Sequence, residues 1–305
     1  DIPVLLSVGK ENLYIWEKQE GMLHENEAAE ILRQICQGEH MHPSEVKEGK
    51  IELIADCEGV LKINTEKLNA VNNLGEMMIA SRHGNFPVKT GDKIAGTRII
   101  PLVIEEEKMQ KACEVAGKEP IFRILPYQKK KAGIVTTGSE VYYHRIEDKF
   151  TPVVIEKLKE CGVTEVKQIQ CNDDHEMIME AIQTLIEDGS DLIVCTGGMS
   201  VDPDDRTPLA IKNACTEVVT YGAPVLPGAM FMLAYCEKEG RQIPVMGLPG
   251  CVMYAKRTIF DLVLPRIMCD EKLHEKDFRL LGQGGLCLSC PVCTFPNCGF
   301  GKGGY

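Results

Sequence analysis

The stretch "DLIVCTGGMSVDPDDRTPLAIK", residues 191–212, decides how this chain is read. An apolar run, Leu192 to Thr196, stops at Gly197 and Gly198. Acids follow at Asp202, Asp204 and Asp205, and Thr207-Pro208 then opens a helix. Thr is a good cap and Pro fits the first helical turn. A fully apolar strand, a glycine turn and a helix make one segment of a parallel α/β sheet. Such a turn suits phosphate, because backbone N–H groups and the helix dipole both favour an anion. Carboxylates beside it would repel that phosphate. A divalent cation such as Mg2+ reconciles the two by taking carboxylate and phosphate oxygens together.

Working outward, the same alternation repeats. "AGIVTTG" is a short strand ended by Gly138, and "TPVVIEKLKECG" is a helix with Thr151 as cap, Pro152 at its first position and Gly162 as its stop. "EVKQIQ" is a strand, and "DDHEMIMEAIQTLIEDG" places Ile178, Ala181, Ile182, Leu185 and Ile186 on one helical face. "FMLAYCEKEGRQIPVMGLPG" reads as two strands about a turn, and "CVMYAKRTIFDLVLPRI" as a closing apolar helix. The expectation is a mostly parallel sheet covered on both faces. Ligands then bind beyond the carboxyl ends of its strands. Those ends carry Thr137, Gly138 and Glu140, then Asn172, Asp173 and Asp174, then Gly197 and Gly198 with the acids beyond, and finally Pro249 and Gly250. The acids at these ends are the candidates to hold the Mg2+. The simpler reading makes Asp173 or Asp174 a helix cap, and the remaining acids solvated loop residues.

Before residue 132 the pattern is less regular. "NEAAEILRQICQG" has Ala28, Ile31, Leu32 and Ile35 at helical spacing. "KIELIADCEGVLKIN" reads as a hairpin about Gly59, "PVKTGDKIAGTRIIPLVI" as short strands joined at Gly91 and Gly96, and "EEEKMQKACEVAG" as an exposed helix. The expected division is an α+β domain over 1–131, an α/β domain over 132–270 and a tail over 271–305. A net charge of −11 argues against a broad nucleic-acid surface. No apolar run reaches membrane-spanning length, so no membrane association and a cytoplasmic location are expected. The chain opens without Met, which suggests a piece of a longer protein.

Of 14 cysteines, ten are scattered singly and four close the chain in "CLSCPVCTFPNC". Cys287, Cys290, Cys293 and Cys298 in a reducing compartment favour metal over disulfides. Their close spacing favours a 4Fe–4S cluster over Zn2+, with a flexible, metal-free tail as the simpler alternative.

The strings "TTGSE", "CNDD", "CTGGMSVDPDDRTP", "VLPG" and "GLPG", in this order, resemble the molybdopterin-binding domain of molybdenum cofactor biosynthesis. The resemblance covers about residues 132–268 and is closer to the molybdenumtransferase than to the adenylyltransferase. It implies a three-layer α/β domain that binds molybdopterin or its adenylylated form. Thr137, Gly138, Thr196, Gly197, Gly198, Ser200, Pro249 and Gly250 would contact the cofactor, and Glu140, Asp173 and Asp205 would serve Mg2+-assisted molybdate insertion. It also implies a homo-oligomer, dimer or trimer, and molybdoenzymes as partners. Ala229 stands where the transferase often has Lys, and Cys251-Val252 where Asn-Pro is common. These departures keep two alternatives open: a non-catalytic molybdopterin carrier or sensor, and a nucleotide pyrophosphatase of the competence-damage-protein type.

Overall fold

The computed structural model describes residues 2–7, 9, 19–200, 202 and 205–303. Asp204, one of the acids singled out above, lies outside the described residues. In chain order the elements of the first stretch are α1 (Ile2–Ser7), β1 (Met22–His24), α2 (Glu25–Cys36), β2 (Met41–Pro43), β3 (Lys50–Ala55), β4 (Gly59–Ile63), α3 (Thr65–Asn72), β5 (Met77–Ser81), β6 (Pro87–Val88), β7 (Lys93–Ile99), β8 (Val103–Glu105), α4 (Glu106–Ala116) and β9 (Phe122–Pro126). There follow β10 (Lys131–Thr136), α5 (Ser139–Tyr142), α6 (Phe150–Glu160), β11 (Glu165–Gln170), α7 (His175–Glu187), β12 (Leu192–Thr196), α8 (Thr207–Ala214), β13 (Glu217–Tyr221), β14 (Met232–Lys238), β15 (Arg241–Leu248), a 3₁₀ turn at Gly250–Met253, α9 (Ile259–Met268) and α10 (Glu275–Arg279).

The chain divides into two compact units. The first takes residues up to Asp56, then Ile63–Arg82 and Thr90–Arg123. It holds the antiparallel sheet β2-β3-β7-β5 and the pair β1-β8. Leu32 and Ile35 of α2, Ile51 and Leu53 of β3 and Met109 of α4 are buried in its core. The helix expected to be exposed, α4, thus buries one face through Met109, Ala112 and Ala116. Gly96 lies inside β7 and joins nothing. The expected hairpin about Gly59 does not form. β3 pairs with β2 and β7, whereas β4 pairs in a separate sheet of order β6-β4-β9. Gly59 shows why: a Cβ there would stand 2.1 Å from the Leu125 carbonyl oxygen, so the chain turns away to lay bare backbone against β9.

The second unit takes Cys57–Lys62, His83–Lys89 and the chain from Ile124 onward. Its six-stranded sheet has the order β11-β10-β12-β15-β14-β13. β11, β10, β12 and β15 are mutually parallel, and β14 runs antiparallel to both its neighbours. Alternation along each strand feeds two cores. Ile134, Leu192, Val194, Leu233 and Met246 pack with Val154 and Leu158 of α6 and with Phe260 and Val263 of α9. Val135, Ile193, Cys195 and Val245 pack with Ile178, Ile182 and Leu185 of α7 and with Ala210 and Ile211 of α8. The result is a three-layer α/β arrangement. Each fully buried Leu or Ile in these cores is worth about 2–5 kcal/mol against truncation to Ala.

The tail after α10 is packed rather than loose. Leu226 and Leu286 form an isolated parallel bridge, and Phe300 is buried in the same core as α9.

Candidate functional site

The four parallel strands end on one edge. The register sets Thr136 beside both Gln170 and Thr196, and Thr196 beside Leu248. The residues that follow are therefore neighbours: Thr137, Gly138 and Glu140 after β10, Asp173 after β11, Gly197, Gly198 and Ser200 after β12, Pro249 and Gly250 after β15.

Hydrogen bonds lace these turns together. Thr137 N–H donates to the Thr196 carbonyl at 2.8 Å. The Thr137 hydroxyl reaches that same carbonyl and the Thr207 hydroxyl, each at 3.1 Å. This ties the end of β10 to the end of β12 and to the start of α8. Gly197 and Gly198 adopt φ of +89° and +53°. A Cβ at Gly197 would stand 2.3 Å from the Thr137 carbonyl oxygen, and one at Gly198 would stand 2.7 Å from the Thr207 hydroxyl. The glycine pair is thus demanded by the packing of this edge as well as by its backbone angles.

The acids are occupied. Asp173 Oδ2 accepts the Ser139 N–H at 2.8 Å, joining the β11 end to the start of α5. Asp174 caps α7 by accepting from Met177 N–H at 3.0 Å, so the capping reading holds for Asp174. Asp205 Oδ2 accepts both the Ser200 N–H at 2.7 Å and the Ser200 hydroxyl at 2.6 Å. Asp205 N–H in turn donates to the Asp202 carbonyl, closing the loop on itself. Glu140 is exposed in the first turn of α5. Among the described residues, no three His, Cys, Asp or Glu side chains gather as metal ligands. The described carboxylates do not form a ready Mg2+ cage. The same holds for the tail thiols: Cys290 and Cys293 are exposed, while Cys287 and Cys298 lie partly buried against the core.

Three features of the edge escaped the sequence reading. Thr151 lies inside α6, whose cap position is Lys149, and Asp148, one residue before that position, accepts the N–H groups of Phe150 and Thr151 at 3.0 Å each. Thr151 instead shares a hydrogen bond with Thr136, and Gln168 Nε2 donates to Thr136, Thr151 and Asp148. Burial pushes the Asp148 carboxyl up, but the hydrogen bonds from Thr151, Phe150 and Gln168 outweigh it and hold the group below its ordinary value. Tyr221, at the end of β13, has its phenol pushed up by burial and then by the Asp205 charge, which places it within the field of that carboxylate. Finally, Thr196 Oγ1 and His175 Nδ1 are buried without a hydrogen-bond partner. Both belong to segments that end or begin on this edge, and such atoms ask for an explanation.

The arrangement can hold an anion. Glycine turns and the starts of α7, α8 and the Gly250 turn all meet at one edge of a parallel sheet, as in other α/β ligand sites. The fold is a three-layer α/β domain whose parallel strands end together on one edge. Residues 133–268 match the family described as "Probable molybdopterin binding domain".

Among curated relatives, a CinA-like protein of Mycobacterium sp. (strain MCS) is 35% identical over 85 residues, which is 28% of this chain and 20% of that protein. One of Mycobacterium avium is 34% identical over 95 residues, 31% and 22% of the two chains. The chain thus spans about a fifth of the length of the curated relatives it matches. Among solved structures, the tungsten cofactor synthesizing protein MoaB from Pyrococcus furiosus aligns with 23% identity and a TM-score of 0.36, over 41% of this chain and 84% of that one. CinA from Thermoplasma acidophilum, described as of unknown function, aligns with 16% identity and a TM-score of 0.32, over 39% and 88%. No helix among the described residues is long and apolar enough to cross a membrane.

Proposed function

We propose that this protein binds molybdopterin, or its adenylylated form, at the carboxyl edge of its sheet and serves molybdenum cofactor biosynthesis as a carrier or sensor. The observation that carries the reading is the meeting of four parallel strand ends with glycine turns and helix starts inside the matched segment. The phosphate of the pterin, or the pyrophosphate after adenylylation, is the group such an edge suits. Thr137, Gly138, Thr196, Gly197, Gly198, Ser200, Pro249 and Gly250 line the proposed contact. Binding is favoured over Mg2+-assisted molybdate insertion because Asp173 and Asp205 already spend oxygens on Ser139 and Ser200.

A nucleotide pyrophosphatase of the competence-damage-protein type is the second reading, favoured by the identity to CinA-like proteins. Calorimetric titration with molybdopterin, adenylylated molybdopterin and ADP-ribose tests both, followed by incubation of each with Mg2+ and molybdate. The pterins are expected to bind and to be recovered intact. Absence of pterin binding together with hydrolysis of ADP-ribose would replace this reading with the second. Mg2+-dependent loss of the adenylyl group would restore the transferase.

A further inference from the structure

The second unit carries a thiol pair away from the strand-end edge. Cys215 closes the C-terminus of α8, and Cys236 lies on β14, 21 positions later. Their Sγ atoms stand 2.6 Å apart. That is well inside the contact distance of two unbonded sulfurs and about half an ångström beyond a disulfide bond. The backbone holds both partners in place for reasons of its own. Cys215 N–H donates to the Ile211 carbonyl, which keeps it on the last turn of α8. Thr216 N–H and hydroxyl both donate to the Tyr235 carbonyl at 3.0 Å, which pins the next residue beside β14. β13 then pairs antiparallel with β14, Glu217 opposite Tyr235. The sulfurs already face each other in contact.

We propose that Cys215 and Cys236 form a redox modification site, closed to an intrachain disulfide by hydrogen peroxide and reopened by small thiols. The hydrogen bond between the two thiols lowers the pKa of Cys236 and raises that of Cys215, so thiolate character favours Cys236. A buried thiol without such a partner differs: burial pushes Cys36 up to about 12, where little nucleophile exists near neutrality. The thiolate attacks one peroxide oxygen, the O–O bond breaks, hydroxide leaves, and a sulfenic acid remains. The partner sulfur then attacks the sulfenic sulfur. The S–O bond breaks, and its hydroxyl departs as water with the partner's proton. Two thiols lose two electrons and two protons, and one hydrogen peroxide becomes two waters.

The bond would act on α8 as a whole. The first residue of that helix, Thr207, is fully buried and bonded to Thr137 on the strand-end edge. The disulfide would fasten the opposite end of the same helix to β14. The site does not depend on which ligand the edge takes.

The test uses the full chain. Reduced protein is treated with graded hydrogen peroxide, alkylated, digested and mapped by mass spectrometry. A linked Cys215–Cys236 peptide pair is expected to accumulate before any linkage among Cys287, Cys290, Cys293 and Cys298, and dithiothreitol should restore both thiols. Oxidation should raise Tm by roughly 4–10 °C, a shift absent from Cys215→Ser and from Cys236→Ala. Recovery of both residues as free thiols at peroxide levels that oxidise the exposed Cys290 and Cys293 would overturn the proposal. So would oxidation of Cys236 to a sulfinic acid with no linked pair. The mapping of the unmutated protein decides the question even if a variant fails to fold.

Discussion

Gly198 and Gly250 sit on the same edge, and an added methyl should have opposite consequences at the two. At Gly198 the backbone has φ +53°, and an Ala Cβ would stand 2.7 Å from the Thr207 hydroxyl and 3.4 Å from that of Thr137. The left-handed angle costs an L-residue about 1–2 kcal/mol. Parting two buried hydroxyls that bond at 3.1 Å costs about another 1–2 kcal/mol. Gly198→Ala should therefore lose about 2–4 kcal/mol, or roughly 4–16 °C in Tm for a unit of this size. At Gly250 a Cβ meets nothing within 4 Å, and no left-handed angle is involved. Gly250→Ala should hold stability to within about 0.5 kcal/mol, while its methyl occupies the space that a bound phosphate would use. An affinity loss of about tenfold, ~1.4 kcal/mol, is expected there. Thermal denaturation and calorimetric titration with molybdopterin are run on both variants. Wild-type Tm in Gly198→Ala would refute the packing argument. Wild-type affinity in Gly250→Ala would refute the placement of the ligand against that turn.

Asp148→Ala should cost about 1–2 kcal/mol by removing the acceptor of the first N–H groups of α6. Because the folded carboxyl lies below its ordinary value of 3.8, the wild-type advantage is full above that pH. It should fade as acid titrates the folded group below it; an advantage that grows in acid would contradict the assignment, and urea denaturation across pH reads it. Lys157→Met should cost about 3 kcal/mol, since Lys157 and Asp261 are both buried and bond at 2.7 and 2.9 Å; Arg257, at 2.8 Å from the same carboxylate, keeps the loss at that lower end, and a change under about 0.5 kcal/mol would show that Arg257 alone satisfies Asp261. Among the described residues no three metal-ligating side chains gather, those of the tail included, and elemental analysis of the anaerobically purified protein is expected to find well below one iron or zinc per chain; stoichiometric metal would reinstate the cysteine site.

The second unit was legible where one signal dominated. Leu192 to Cys195 is apolar throughout, and the strand Leu192–Thr196 is buried at every position. The spacing of Ile178, Ile182 and Leu185 has a helical period, and these residues face the core from α7. Legibility failed where the deciding partner lies outside the local pattern. Thr151-Pro152 looks like a helix start by local rule, but Asp148 captures the free N–H groups one turn earlier. The β13 segment, with its polar and apolar residues at the sheet margin, gave too short a pattern to be read. Lys157 would be placed in solvent by residue type alone. It is buried because Asp261, 104 positions away, arrives opposite it on α9. The hairpin about Gly59 failed likewise, since the partner that demands a bare backbone there is Leu125.

The same distinction governs the acids beside the glycine turn. In sequence they look like charge in search of a cation, because nothing near them in the chain could neutralise a phosphate's neighbour. In space, Asp173 faces a backbone N–H from the adjacent strand end and Asp205 faces the N–H and hydroxyl of Ser200. Each carboxylate therefore fixes the turn it faces. On this account neutralising Asp205 should loosen the Ser200 loop, whereas adding Mg2+ should change little. Asp205→Asn keeps the shape but can no longer accept from both Ser200 donors with full charge. It is expected to weaken pterin binding about tenfold at any Mg2+ concentration. A loss that appears only when Mg2+ is present would instead make Asp205 a metal ligand, and return the chemistry of this edge to the transferase.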